Sequence, residues 1–299
     1  MKPLYAIIKE NLRDGALPED FTLDDTASDS PVSWAPGAKD GVFLYHMRSP
    51  EPDPAREEKI LEALTLISKG DTAYDEEIIT IFEELDKQVS IVRLYDDIQR
   101  TIAHHIQDLD LGAILNYGDY LISYGMSFLA VKIGLTLLGG FKVPFVKEVL
   151  LEFGAYDEFT YYAARVLSGS AWEDGNSDLF RLAKNVHGWG RIHAVEYLAP
   201  ETQEIKDWLL YEGAENTVMQ QYSADACLQK AGVLERLDGP VSQQEFGAIS
   251  RLIGYCIEGG PCPGITNAGQ LLPKYLKAAE DHQCDRNLIQ IVQSYYSRG

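Results

Sequence analysis

The chain has 299 residues, of which 46 are acidic and 26 are basic, and its formal net charge is −20 at pH 7. Binding to nucleic acid or to an anionic membrane surface requires a basic patch that attracts phosphate groups, so this charge argues against both functions. Hydrophobic residues make up 45% of the chain. That fraction is enough to bury a sizeable core, and we expect a soluble, folded protein.

Residues 1–54 are predicted to form a mostly irregular N-terminal arm that packs on the rest of the protein. A short amphipathic helix is expected near Pro3 to Arg13. Six prolines then follow between Gly15 and Pro54, and proline at this density stops helices and favours extended or turn conformations. The one strand-like segment that we predict in the arm is Val42 to Met47.

The amino terminus and the cysteines indicate the compartment. Glu10 and Asp14 lie in the first 15 residues, and no long apolar segment with a small-residue cleavage site follows, so no secretory signal is predicted. The four cysteines follow no CxxC or zinc-ligand spacing. We therefore expect reduced thiols and a cytoplasmic location.

From Ala55 onward the apolar residues recur at helical spacing. Gly70 is expected to end the first helix, Asp75 to Glu77 to open the second near its positive dipole end, and a third helix is expected from about Val89 to Ile106. Residues 55–110 contain 14 acidic and 6 basic residues, a net charge of −8. We assign this charge to solvated outer helix faces.

A long apolar run from Tyr120 to Phe141 resembles a membrane span in its length. Lys132 lies near its centre, where a charge opposes insertion, and four glycines divide the run into helix-sized pieces. Two adjacent helices that are buried in a soluble fold are the better interpretation.

The most informative pattern is an internal repeat, in which a small residue is followed four positions later by leucine. Successive pairs are 29, 31 and 30 residues apart, and each is preceded by a second predicted helix, so a unit is a pair of short antiparallel helices. A small side chain permits close approach of the two helices. The pairs are Gly134/Leu138, Ala163/Leu167, Ala194/Leu198 and Ala224/Leu228, and the preceding helices are Leu111 to Tyr124, Val143 to Phe153, Leu179 to His187 and Gln203 to Tyr211.

The segment from Arg191 to Leu198, RIHAVEYL, resembles the second helix of a HEAT repeat. In such a helix an arginine is followed at three and four positions by small or aliphatic residues and at seven positions by leucine. The other units keep part of this pattern, and the resemblance covers residues 111–258. It implies an all-α superhelix of HEAT-like or armadillo-like hairpins, and implies little about function, because one fold serves many functions. An irregular helical bundle is the structural alternative.

The predicted organisation has three parts: the arm of residues 1–54, a helical-repeat body over residues 55–260, and capping helices in residues 261–299. The caps are expected near Asn267 to Glu280 and Asp285 to Tyr296, because the last repeat would otherwise expose its apolar face. The glycine-rich loop that begins at Gly259 lacks the GK[ST] ending of a phosphate-binding loop.

The densest polar and aromatic cluster lies on a helix that is predicted to begin near Trp189. Trp189, His193 and Glu196 share one helix face, and the second helix of a stacked repeat usually lines a concave surface, so we expect a binding groove. Alternatively, the cluster is structural, with the tryptophan in the core, the arginine paired with an acidic neighbour and the histidines hydrogen-bonded. The candidate binding residues are His187, Trp189, Arg191, His193, Glu196, Trp208, Gln221, Tyr222 and Asp225.

No catalytic residue, cofactor or metal ligand is assigned. His104 and His105 point about 100° apart on a helix and cannot both bind one metal without help. The HxxE pair His193 and Glu196 has no second such motif to face it. Metal-dependent HEAT-like hydroxylases resemble this architecture but use His-Glu dipeptides, which this sequence lacks, and no nucleophile motif such as GxSxG occurs.

Our first hypothesis is a protein- or peptide-binding helical-repeat module with an acidic, aromatic groove centred on residues 187–225 and a basic partner. The first alternative is an enzyme or small-ligand binder that uses His187, Arg191, His193 and Glu196. A further alternative is an immunity-like inhibitor of a basic toxin. The oligomeric state is not predicted.

Overall fold

The computed structural model describes residues 2–25, 34–169, 171–261 and 264–296. Within these ranges it contains 17 α-helices and no β-strand, which confirms the predicted all-α class. The chain divides into two compact units, Met1–Val186 and His187–Gly299. The predicted boundaries at residues 54 and 260 stay a prediction.

The first unit contains ten α-helices within its described residues. The predicted N-terminal helix is confirmed as α1, which buries Leu4 and Ile8 one turn apart. The helices of this unit are α1 (Leu4–Asn11), α2 (Ala38–His46), α3 (Pro54–Ser68), α4 (Asp75–Val89), α5 (Ile91–His104), α6 (Leu111–Tyr124), α7 (Phe128–Leu138), α8 (Pro144–Gly154), α9 (Thr160–Leu167) and α10 (Gly175–Asn185).

The predicted strand-like segment Val42 to Met47 is wrong, because Val42 to His46 belong to helix α2 and Met47 is the residue that caps it. The guanidinium group of Arg93 on α5 stabilises the end of α2: its Nε donates to the carbonyl oxygen of Phe43 at 3.0 Å, and its Nη2 donates to those of Leu44 and Met47 at 3.1 Å and 2.8 Å. These carbonyls at a helix end need partners. The partner comes from about 50 residues along the chain, so local sequence does not reveal it.

The acidic helices α3 to α5 begin and end near the predicted positions. The Asp53 side chain accepts a hydrogen bond from the Ala55 backbone at 3.0 Å and caps α3. Gly70 has the positive φ of 66° that a left-handed residue after a helix adopts. Asp75, Glu76 and Glu77 occupy the first turn of α4, as predicted.

The helix pairs of the first unit approach each other closely at small residues. A Cβ atom added to Gly134 on α7 would lie 3.0 Å from the backbone oxygen of Gly118 on α6, and one added to Gly154 on α8 would lie 2.7 Å from Cβ of Ala163 on α9. Leu138 and Leu167 are buried one turn later. The predicted packing role of these small residues is therefore confirmed for both pairs. In the described part of the chain, no helix has the length and apolar content needed to cross a membrane.

The second unit is also helical. The predicted helix Gln203 to Tyr211 begins as α12 and continues as a π-helical turn, Leu209–Gly213. Cys262 and Pro263, in the glycine-rich loop, lie outside the described residues. The helices are α11 (Trp189–Tyr197), α12 (Gln203–Trp208), α13 (Ala224–Lys230), α14 (Val233–Arg236), α15 (Gln243–Ile257), α16 (Ala268–Ala278) and α17 (Arg286–Tyr296), and the last two fall where the capping helices are predicted.

Candidate functional site

The residues predicted to form a groove lie in the second unit, and several of them are in its core. Helix α11 begins at Trp189, as predicted. The ring centroid of Trp189 lies 6.3 Å from that of His193 and 4.8 Å from that of Tyr222. Trp189 is 6% exposed and His193 is 1% exposed. The two side chains share one face of α11, as the sequence indicates, but both of them are buried.

Arg191 and Trp208 are buried beside this cluster. The Nη1 atom of Arg191 donates to the backbone oxygen of Glu215 at 3.1 Å, and its guanidinium carbon lies 5.4 Å from the ring centroid of Trp208. A guanidinium group over an aromatic face is a stabilising arrangement inside a protein. These contacts agree with the structural alternative for the cluster.

The other predicted groove residues are more accessible. His187 and Glu196 are exposed, whereas Tyr222 is half-buried. Half-buried Gln221 donates from Nε2 to Oε2 of Glu258 at 2.9 Å.

Half-buried Asp225 joins α13 to the segment before α16. It accepts hydrogen bonds from the backbone and the hydroxyl group of Thr266 at 2.8 Å and 2.6 Å. A binding role for the nine predicted residues stays a prediction.

A groove of acidic and aromatic character lies in the first unit, between α4 and α6. Its cavity has a volume of about 620 Å³. The lining residues are Asp75, Glu76, Ile79, Thr80 and Glu83 of α4, Tyr117, Tyr120, Leu121 and Tyr124 of α6, and Gly125 and Ala130. We call this the α4–α6 groove.

The two walls of the α4–α6 groove differ in chemistry. Glu76 and Glu83 lie seven residues apart on α4, which places them on one face of the helix. Tyr117, Tyr120 and Tyr124 form a row on α6, with successive ring centroids 6.0 Å and 5.5 Å apart. Tyr120 and Tyr124 are 45% and 65% exposed, so their rings are available to a partner.

A smaller cavity of about 470 Å³ adjoins the groove at the amino-terminal ends of α4 and α6. Asp75, Tyr117 and Tyr120 line both cavities. We call this second space the aspartate pocket. The remaining lining residues are Ile67, Gly70, Asp71, Thr72, Ile78, Asp110, Gly112, Ala113 and Asn116.

The electrostatic environment of the two cavities is acidic. No lysine, arginine or histidine is among the described lining residues. Burial, together with the neighbouring Asp71 carboxylate, raises the pKa of Asp75. Burial, followed by the Asp75 charge, raises the pKa of Tyr117, so its phenol stays protonated at neutral pH. Such carboxylates repel one another and would be stabilised by a cation.

Acidic residues on an amphipathic helix usually face solvent, so those of α4 did not indicate this site in the sequence. A signal was present in the sequence. Tyr117 and Tyr124 are seven residues apart, with Tyr120 between them, and Glu76 and Glu83 are also seven residues apart, so each set lies on one face of its helix. Two rows of complementary chemistry on neighbouring amphipathic helices would have indicated a groove, but which faces meet depends on how the helices pack.

A buried ion cluster lies elsewhere in the first unit and fixes α2. The Nζ atom of Lys132 lies 2.8 Å from Oδ2 of Asp40 and 2.5 Å from Oε1 of Glu158, and all three side chains are at most 7% exposed. The backbone N–H of Gly37 donates to Oε2 of Glu158 at 2.6 Å, and the Tyr162 hydroxyl group donates to Oδ2 of Asp40 at 3.4 Å. Because these charged groups pair with one another away from solvent, we assign the cluster a structural role, although Oδ1 of Asp40 has no hydrogen-bond partner among the described residues.

A third cavity, of about 1100 Å³, lies beside α17 in the second unit. Its described lining carries no charged side chain, so it has no feature that identifies a ligand. The lining residues are Ile257, Ala268, Asn287, Gln290, Ile291, Ser294 and Tyr295.

In comparisons with family models, curated proteins and solved structures, the chain matches none of them.

Proposed function

We propose that this chain is a protein-binding module and that its α4–α6 groove binds a basic segment of another protein. The observation that carries the proposal is the composition of the groove, in which carboxylates of α4 lie opposite tyrosines of α6 and no basic side chain is among the described lining residues. Cationic side chains complement the carboxylates, and apolar side chains fit the surfaces of Ile79, Leu121 and Ala130. This proposal keeps the basic protein partner that the sequence predicts and changes the location of the groove.

The dimensions of the groove suit a short peptide segment. Glu76 and Glu83, like Tyr117 and Tyr124, are separated by two helical turns, a rise of about 10 Å. An extended peptide covers that distance in about three residues, with alternate side chains on one side. Tyrosine rings provide a large contact area and lose little conformational entropy on binding, which is why they are frequent in recognition sites.

We also propose that the helices form a HEAT-like helical-repeat scaffold. Support comes from the sequence repeat and from the close helix pairs at Gly134 and Gly154. Such scaffolds present extended surfaces to protein partners. The cytoplasm is the proposed compartment, because a chain of 299 residues with four cysteines suits a reducing environment.

The experiment measures binding of two fluorescein-labelled peptides by fluorescence anisotropy. One peptide alternates leucine with arginine, and the other alternates leucine with glutamate. We expect the basic peptide to bind and the acidic peptide not to bind. Added salt should weaken the basic complex, since exposed charges are screened.

Variants locate the site on the protein. Tyr120→Ala should weaken binding of the basic peptide about tenfold, the typical loss at an aromatic contact, and Glu76→Gln combined with Glu83→Gln should weaken it about threefold or more. Tyr296→Ala is the matched aromatic control, because Tyr296 is also 45% exposed. Glu77→Gln is the acidic control on α4, outside the groove lining. Equal effects of groove and control variants would refute the proposal.

A further inference from the structure

The aspartate pocket has hydrogen-bond acceptors on several sides. Asp71 and Asp75 contribute carboxylates, and Asn116 of α6 contributes a side-chain amide group, whose oxygen can accept a hydrogen bond. None of the five carboxylates that line the two cavities forms an ion pair within the described residues, so no basic side chain neutralises their charges there. Oδ1 of Asp71 and Oδ1 of Asp110 each accept one backbone hydrogen bond, from Ala73 at 2.9 Å and from Ala113 at 3.0 Å. Burial, followed by the charge of Asp71, raises the pKa of Asp75, and a bound cation would relieve the part of this effect that comes from the repulsion between the two carboxylates.

A second and independent observation concerns the hydroxyl group of Tyr117. Its oxygen is buried and forms no hydrogen bond with any described residue. Buried hydroxyl groups nearly always have a partner, because an unsatisfied one loses its hydrogen bonds to water without replacement. Tyr117 lines both the groove and the aspartate pocket. A ligand that donates a hydrogen bond at this point would satisfy the hydroxyl group.

We propose that the aspartate pocket binds an arginine side chain of the basic segment, in preference to lysine. This inference rests on the proposed function of the α4–α6 groove. An arginine guanidinium group carries five N–H donors in a planar arrangement, so it can reach carboxylates and the neutral acceptors Asn116 and Tyr117 together. Its flat face can also stack on the exposed ring of Tyr120. A lysine ammonium group is a compact point charge, so its favourable interactions in the pocket would be chiefly with the carboxylates.

The test compares two labelled peptides that differ only in their cations: leucine alternates with arginine in one and with lysine in the other. For the unmodified protein we expect the arginine peptide to bind about tenfold more tightly, as additional charge-assisted hydrogen bonds would provide. Tyr117→Phe keeps the ring and removes only the hydroxyl group. It should reduce this preference several-fold while binding of the lysine peptide changes little.

Tyr74→Phe is the matched control, because Tyr74 is a nearby half-buried tyrosine that lines neither cavity. It should leave the preference for arginine unchanged. Since the Tyr117 hydroxyl group has no partner among the described residues, Tyr117→Phe should not lower the urea midpoint of unfolding.

The outcomes separate the two proposals. If neither peptide binds, the proposed function of the groove is wrong. If both peptides bind equally, or if Tyr117→Phe leaves the preference for arginine intact, the groove remains a basic-peptide site and the arginine inference is overturned.

Discussion

Asp40 shows how a single buried residue can make the stability of this protein depend on pH. Burial raises its pKa to about 6, although the neighbouring Lys132 ammonium group opposes the shift. Its Oδ1 atom has no hydrogen-bond partner among the described residues. The charged groups that affect it are Lys132, Glu158 and Lys39. Lys132 itself has a raised pKa, because the two carboxylates outweigh the effect of its burial, so it stays charged.

The sign of the pH dependence follows from the direction of this shift. The folded-state pKa of Asp40 lies above its ordinary value of 3.8, so the folded state binds the proton more tightly. The resulting stabilisation is fully present below pH 3.8 and is lost as the pH rises through 6. We predict that Asp40→Asn, which mimics the protonated acid, removes this loss.

The measurement is urea unfolding of the Asp40→Asn variant and the unmodified protein between pH 4 and pH 7. As the pH rises over this range, the free energy of unfolding of the unmodified protein should fall by on the order of 2 kcal/mol relative to that of the variant. Asp119→Asn provides the control, since Asp119 is exposed on α6. A constant difference across the range would show that Asp40 titrates normally.

At the scale of elements, close pairing of helices depends on the absence of side chains at specific positions. Gly154 at the end of α8 faces Ala163 on α9, and a Cβ atom there would lie 2.7 Å from Cβ of Ala163. Real Cβ atoms do not approach so closely, so the helices would have to separate. Gly247 in α15 is exposed, and a Cβ atom added there meets nothing within 4 Å.

We predict opposite effects for the same substitution at these two glycines. Gly154→Ala should lower the free energy of unfolding by about 1–3 kcal/mol, as overpacking does. Gly247→Ala should raise it by about 0.5–1 kcal/mol, because alanine favours the helix. Urea unfolding of both variants at one pH provides the measurement. Stabilisation by both substitutions would show that α8 and α9 are not tightly paired.

At the scale of the whole molecule, the net charge of −20 acts on stability and on binding in opposite directions. Repulsion among like charges disfavours the compact state, whereas attraction to a basic partner favours the complex. Screening by salt weakens both effects. The fold and the complex should therefore respond to salt with opposite signs.

We predict that moderate sodium chloride raises the thermal midpoint by a few degrees, which corresponds to about 1 kcal/mol for a protein of this size, and weakens the basic-peptide complex. Scanning calorimetry and anisotropy at matched salt concentrations test both parts. Chloride is preferred to sulfate, because sulfate also strengthens apolar burial. A lower thermal midpoint in salt would mean that favourable ion pairs outweigh the overall repulsion.

Local patterns in the sequence were sufficient to predict most helices and their packing residues. The spacing of apolar residues predicts α3 to α8, because a helix repeats every 3.6 residues wherever its partner lies. Turn signals such as Gly70 depend on the backbone of one residue. The small residues at positions 134 and 163 are likewise identifiable from spacing alone.

The sequence by itself therefore determined the all-α class, most helix positions and the acidic character of the protein. Only the tertiary structure decided that residues 38–46 form a helix, that Trp189 and Arg191 are buried, and that carboxylates of α4 face tyrosines of α6. The physical reason is that helix periodicity is a local property of the chain. Which side chains meet, and which remain accessible to a partner, depends on contacts between residues far apart in sequence.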